Sequence, residues 1–227
     1  MLDPGDNPFS SRKLGARLGV SRDTIWCWRM IVFDQLSTIA PYPLSGINET
    51  DETFQRESRK GSREWVLHAK DLSIYPQPPR RRWSEYGRKG PPQAIVRNWL
   101  HPLLGVVDRT RQVSFQHIGD NKQPSNEAAL VPQVVPDAMA LFGDAPQYEA
   151  VARTRGISYQ VLVSGRRWKS TPKAYHLNTV NSLRAQWKDD FRKRWRGPAS
   201  KYLDGYARRM VARRSSDPLA MFRAIIA

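Results

Sequence analysis

Apolar positions along this chain alternate between helical and extended periods, and each change of period marks an element. Residues 9–36 have the helical pattern. Leu14 to Leu18 reads as a short helix, Gly19 as a turn, and Ser21 as the N-cap of a second helix that carries Ile25. Pro41-Tyr42-Pro43 closes this unit, because proline disfavours helix at itself and at the residue before it. Leu44 to Phe54 then alternates with period two. Ile47, Glu49, Asp51 and Thr53 fall on one side, and Asn48, Thr50, Glu52 and Phe54 on the other. Leu103 to Phe115 predicts a hairpin of two β-rich runs around a polar turn. Residues 124–142 predict a helix leading into a short strand, Ala138 to Phe142. A helix over Tyr148 to Arg155 and a strand over Ser158 to Val163 follow. From Thr179 the stripe Val180, Leu183, Trp187 and Phe191 is helical, and Gly197 to Ala227 reads as helical and basic. This order predicts an α/β sheet with helices packed on it, without giving the order of the strands.

Residues 56–92 break the pattern. They hold the basic runs Arg59-Lys60-Gly61-Ser62-Arg63 and Arg80-Arg81-Arg82, and six prolines lie between Pro76 and Pro102. The expectation is an irregular, mobile, cationic insertion, anchored to the body by Trp65, Trp83 and Trp99. Such a run is either a solvated loop or a phosphate-contacting surface. The net charge of +16 and pI near 10.5 favour a polyanionic partner, with nucleic acid first, because basic surfaces release condensed counterions from phosphates. In 227 residues that are 40% hydrophobic, a packed core and a second small unit are both affordable. The single cysteine, Cys27, excludes an internal disulfide and a cysteine-based zinc site; its tryptophan neighbours predict that it is buried and inert. No apolar run approaches the ~20 residues of a membrane span. A polar start without a signal-peptide core completes the expectation of a cytoplasmic protein that makes no membrane contact.

Within residues 9–36, small Gly15 lies four residues before Gly19 and lets two helices cross closely, as a DNA-binding helix-turn-helix requires. Ser21, Arg22 and Thr24 then sit at the helix start, where base edges are read. A plain αα-hairpin gives a similar pattern. Trp26, Trp28 and Met30 read as packing residues.

The chemistry-bearing positions are Asp51 in a strand, Asp144 after Leu141-Phe142-Gly143, Asn181 near the start of a helical pattern, and Lys188 seven residues on. Glu49 shares a strand face with Asp51, and two acids so close repel unless cations or hydrogen bonds compensate. Glu52 points the other way, toward Arg59 or Lys60. Lys188 lies two turns from Asn181, on the same helix face and ~10 Å along the axis. Together with Glu49-Thr50-Asp51-Glu52-Thr53-Phe54, the run Arg59 to Arg63, Phe142-Gly143-Asp144, His176 to Lys188, and Arg196-Gly197-Pro198-Ala199-Ser200-Lys201-Tyr202-Leu203-Asp204-Gly205-Tyr206, these segments resemble the bacterial insertion-sequence transposases of the ISXO type, from the helix-turn-helix to about residue 210.

The resemblance implies a ribonuclease H-like mixed five-stranded sheet flanked by helices (residues 41–227), preceded by a small helix-turn-helix (residues 1–40). It makes Asp51 on the first strand, Asp144 on the fourth and Asn181 on a helix the ligands of Mg²⁺ or Mn²⁺, with Lys188 neutralising a phosphate beside the scissile one. Such a site serves in-line displacement at phosphorus, where paired divalent cations stabilise the attacking and leaving oxygens. The implied partners are terminal inverted repeats and target DNA in a homodimer or larger synaptic assembly, at the nucleoid. Ser21, Arg22, Thr24, Arg59, Lys60, Arg63, Arg80, Arg81 and Arg82 are the expected DNA contacts. Glu49 and His176 are secondary candidates for the site. Many members carry a cysteine-rich zinc ribbon before the helix-turn-helix; with one cysteine this sequence contains none, so either this branch does without it or the reading frame is shortened. The rival expectation is a non-catalytic, decayed transposase that still binds DNA.

Overall fold

Strand β1 (Ile47–Arg56) is the axis of the molecule. In this computed structural model, which describes residues 10–38, 44–68, 71–79, 81, 83–118, 140–143, 148–162 and 176–214, it is the middle strand of five. The sheet runs β3 (Val113–His117), β2 (Leu100–Asp108), β1, β4 (Ala140–Gly143), β5 (Ser158–Val161). The hairpin β2–β3 lies antiparallel beside β1, with Asp51 opposite Gly105 and Gly105 opposite Phe115. On the other side β4 and β5 run parallel, with Glu49 opposite Phe142. The fold is therefore mixed α/β.

Directly opposed residues of an antiparallel pair share a sheet face. Glu49 and Asp51 thus lie on the face of Leu103, Gly105, Val107, Val113 and Phe115. This face carries the main core. Helix α6 (Asn178–Asp189) packs Val180, Leu183 and Trp187 against it, and α7 (Leu203–Arg214) adds Leu203, Ala207 and Met210. Gly105 eases the fit here: a Cβ would lie 3.2 Å from Leu183, 3.3 Å from Phe115 and 3.4 Å from Val180, so these side chains would have to give by a few tenths of an ångström for α6 to settle this close to β2. On the opposite face α5 (Tyr148–Arg155) contributes buried Tyr148, whose hydroxyl donates to Glu52 at 2.6 Å. Glu52 does point away from Asp51, but its partner is Tyr148. Arg59 and Lys60 are engaged elsewhere.

Helices α1 (Ser11–Leu18) and α2 (Arg22–Thr38) cross at Gly15. A Cβ there would meet the Val20 carbonyl oxygen at 2.6 Å, and Gly19 ends α1 in the left-handed conformation with φ 69°. The unit does not stand apart from the body: Phe33 and Leu36 of α2 belong to the main core, and Phe33 lies against Gly205 of α7. Trp26 is half-buried, edge-on to Tyr202 at 5.4 Å. Trp28 is exposed, and so is Cys27, contrary to the sequence expectation; both lie on the outer side of α2.

The cationic insertion is more regular than its prolines suggest. It carries α3 (Arg63–Leu67) and two short 3₁₀ turns within Trp83–Lys89 that meet at a kink at Gly87, and just beyond it α4 (Gln93–Trp99) leads directly into β2. Pro91 and Pro92 precede α4, where their missing N–H groups cost nothing. Arg56 donates to the carbonyls of Pro79 and Arg81. Arg59 donates to the Pro76 carbonyl at 2.8 Å and lies over the rings of Tyr75 and Trp99. The side chains of Trp65 and Trp83 lie outside the described residues, as do residues 124–139 of the expected helix and residues 215–227 of the expected tail.

Candidate active site

Helix α6 is clamped along β1 at both ends, and this clamp aligns the candidate residues. At its start the Glu49 carboxylate, almost fully buried, accepts from the backbone N–H groups of Thr179 (2.9 Å) and Val180 (3.1 Å) and from the Thr179 hydroxyl (2.8 Å). These N–H groups have no partner inside the helix, and an anion there is also favoured by the helix dipole. Arg109 neutralises Glu49 at 2.7 Å, and His176 lies 3.3 Å from the same oxygen. Past its far end, after the π-helical turn Asp190–Arg194, the Lys60 ammonium donates to the carbonyls of Arg196 (2.7 Å) and Gly197 (2.8 Å) and so ties down the outgoing chain. Ser58 and Ser200 exchange backbone and hydroxyl hydrogen bonds beside it.

Between the clamps, strand and helix advance in step. Two strand residues span about 6.6 Å and four helical residues about 6 Å. As Glu49 meets Thr179 and Val180, Asp51 therefore meets the next turn. Arg184 donates from one nitrogen to an Asp51 carboxylate oxygen and to the Asn181 side-chain oxygen, the latter at 3.2 Å. The other Asp51 oxygen accepts from the Glu52 backbone N–H at 2.7 Å. Lys188 is one turn further on. Partial burial and the Arg184 charge lower its pKa below the usual 10.5, and Asp51 acts in the opposite sense. The repulsion expected between Glu49 and Asp51 is met by giving each its own guanidinium, Arg109 and Arg184.

Three of the four expected residues, Asp51, Asn181 and Lys188, are thus gathered. Asp144 lies outside the described residues; β4, parallel to β1 and next to it, ends at Gly143. Arg184 is the residue that sequence reasoning passed over. Its signal is the i+3 spacing from Asn181, which places both on one helix face.

Among the described residues no cluster of three or more His, Cys, Asp and Glu side chains could hold a metal ion. The fit to a hard cation rests instead on Asp51 and Asn181. They present only oxygen donors and converge on one positive group, the Arg184 guanidinium, which stands where a cation would be held. Glu49 is spent on the helix N-terminus and has no role as a ligand here.

Of the expected DNA contacts, Ser21 caps α2, accepting from the Thr24 backbone N–H at 3.0 Å, and the two hydroxyls meet at 2.9 Å. Arg22 is exposed and pairs with Asp23 at 3.0 Å. Arg63 is exposed. Arg81 is exposed, donates to the Glu85 carbonyl and lies 4.6 Å over the Tyr86 ring. Arg59 turns inward to Glu57 and Tyr75, and Lys60 closes the α6 clamp. Arg80 and Arg82 lie outside the described residues. Among the described residues no helix is long and apolar enough to cross a membrane.

No protein-family model matches the chain, and a search of curated proteins finds no match.

Proposed function

We propose that this protein is a DNA transposase of an insertion sequence, built on a ribonuclease H-like sheet, that cleaves at terminal inverted repeats and transfers strands into target DNA. The observation that carries the reading is the convergence of Asp51, Asn181 and Lys188 on one face of β1 and one face of α6, from positions up to 137 residues apart, since 188 less 51 is 137. The mixed five-stranded sheet, with first and fourth strands adjacent and helices on both faces, supports the same fold. Two motif segments that carried the family resemblance, Arg59 to Arg63 and Arg196 to Ser200, touch through Lys60, which supports reading them as one device.

In this reading Asp51, Asn181 and Asp144 hold Mg²⁺ or Mn²⁺, which when bound supplies a Lewis acid for attack at phosphorus. Lys188 neutralises the neighbouring phosphate. Glu49 and Arg109 position α6 and touch no substrate. The exposed Arg22 and Arg63 meet DNA, and pairing of two ends makes the working species a dimer or larger, acting at the nucleoid. A labelled inverted-repeat duplex incubated with protein and Mg²⁺ tests it. Cleavage is expected for the native chain and loss of cleavage for Asp51→Asn and Asp144→Asn; cleavage surviving both substitutions refutes the site. The guanidinium between Asp51 and Asn181 favours one rival, a DNA-binding protein whose site is closed by its own arginine. Binding of the repeats without cleavage is its signature.

A further inference from the structure

Helix α6 has three faces, and only two are accounted for. At 100° per residue, Val180, Leu183 and Trp187 face the core, and Asn181, Arg184 and Lys188 face Asp51. The third face, with Ser182, Gln186 and Asp189, lines a separate cleft of about 1340 Å³ that α1, α2 and α7 complete. Its basic lining is Arg12, Arg22, Arg29, Lys193, Arg196 and Arg209, beside Arg194.

The acids nearby compensate part of this charge: Asp23 pairs with Arg22 at 3.0 Å. Asp189 pairs with Lys193 at 2.8 Å, and Asp190 is shared by Arg194 (3.1 Å) and Arg213 (3.5 Å). Among the described residues no carboxylate forms an ion pair with Arg29 or Arg209. Arg209 is only 6% exposed, yet its Nε has no hydrogen-bond partner among the described residues. Burial, and then the charge of Arg29, pulls it down to about 10, so it stays charged at neutral pH. Asp190 and Tyr206 act on Arg209 in the opposite sense, and Arg29 is hydrogen-bonded to Tyr206, but two neighbouring guanidinium groups, one of them buried with a donor unused, still favour an anion in front of them. The cleft is also larger than the ~300–1,000 Å³ of a typical small-molecule pocket and is polar, which suits a polymer.

We infer that the cleft between α2 and the α6–α7 face binds backbone phosphates of a DNA strand, with Arg29, Arg196 and Arg209 as the receiving groups. The site is a second nucleic-acid surface, across α6 from Asp51. It rests on the proposed function only in taking DNA as the polyanion; it needs neither metal nor cleavage.

Duplex binding by fluorescence anisotropy in EDTA tests it on the full chain, with Arg29→Gln, Arg196→Gln and Arg209→Lys. Thermal melting identifies any variant that fails to fold. Arg29→Gln and Arg196→Gln are each expected to weaken binding about tenfold and to lower the salt slope by about one. Arg153→Gln, at an exposed arginine of α5 on the opposite face of the sheet, is expected to bind as the native chain does. Native affinity and slope in both glutamine variants overturn the inference. It also fails if inorganic phosphate stabilises the native fold as well as an oligonucleotide of equal phosphate content, or if an RNA duplex outcompetes DNA. Loss of binding in the cleft variants, with cleavage unaffected by Asp51→Asn, leaves the cleft standing while the Asp51 reading falls.

Discussion

At the scale of single residues the decisive group is Arg184. It satisfies the acid of β1 and the amide of α6 at once, and its side chain is less than a third exposed. Any divalent ion bound between Asp51 and Asn181 has to displace it. A hydrogen bond to a charged group contributes roughly 1.5–3 kcal/mol, and 1.4 kcal/mol is tenfold in affinity. Arg184→Leu should therefore raise Mn²⁺ affinity by about tenfold in a calorimetric or paramagnetic titration; equal or weaker affinity would show that the arginine helps the ion instead of competing with it. Lys188 reports the same arrangement electrostatically. Arg184 lowers its pKa and Asp51 raises it, so Arg184→Leu should move the lysine up toward 10.5 and Asp51→Asn should move it down. An NMR titration of the lysine side chain reads both signs, and shifts in the same direction would contradict the geometry. A phosphate favours the protonated ammonium. On the proposed function, the Lys188 contribution to DNA binding is therefore full at neutral pH and is lost as pH rises, starting below the ordinary lysine value.

At the scale of elements, the two clamps on α6 differ in strength because they differ in burial. Glu49 is 1% exposed and serves two backbone N–H groups, a hydroxyl and Arg109, whereas Lys60 is exposed and serves two carbonyls. Glu49→Ala should cost about 3 kcal/mol, because it strands buried donors. Lys60→Ala should cost under about 1 kcal/mol, as exposed charges do. Urea unfolding of the two variants decides it, and comparable losses would mean that the carboxylate does not carry the clamp. Elements whose signals are local were legible in the sequence. Alternation over Leu44 to Phe54 became β1, Tyr148 to Arg155 formed a helix as predicted, and Gly15, Gly19 and Ser21 made the expected crossing, turn and cap. Long-range partnerships were not legible. Lys60 read as one more charge in a basic run, yet its acceptors lie 136 and 137 residues away. The prolines of the insertion read as breakers, whereas Pro91 and Pro92 only precede a helix. Arg184 drew no reading at all, because nothing local reveals that Asp51 arrives beside it.

For the molecule as a whole, net charge overstates what a polyanion such as the proposed DNA partner can meet. Thirty-seven basic residues against 21 acidic ones leave +16. Many of the basic residues are occupied inside the fold: Arg59 on Glu57 and Tyr75, Lys60 on carbonyls, Arg109 on Glu49, Arg184 on Asp51, Arg208 on Asp204, and Arg213 on Asp190. If all sixteen net charges displaced counterions, the log–log dependence of affinity on salt would have a slope near −14, from about −0.9 per phosphate neutralised. If the four cleft arginines that pair with no carboxylate among the described residues, Arg12, Arg29, Arg196 and Arg209, dominate, the slope is about −4. The shallower value is expected, because a phosphate contact needs a side chain that is both cationic and unspent, and the cleft concentrates such groups. Anisotropy titrations between 50 and 200 mM salt in EDTA measure it. A slope near −14 would mean that DNA wraps the whole basic surface and the cleft has no special part. A slope near −4 that drops by about one with Arg29→Gln assigns the binding to the cleft.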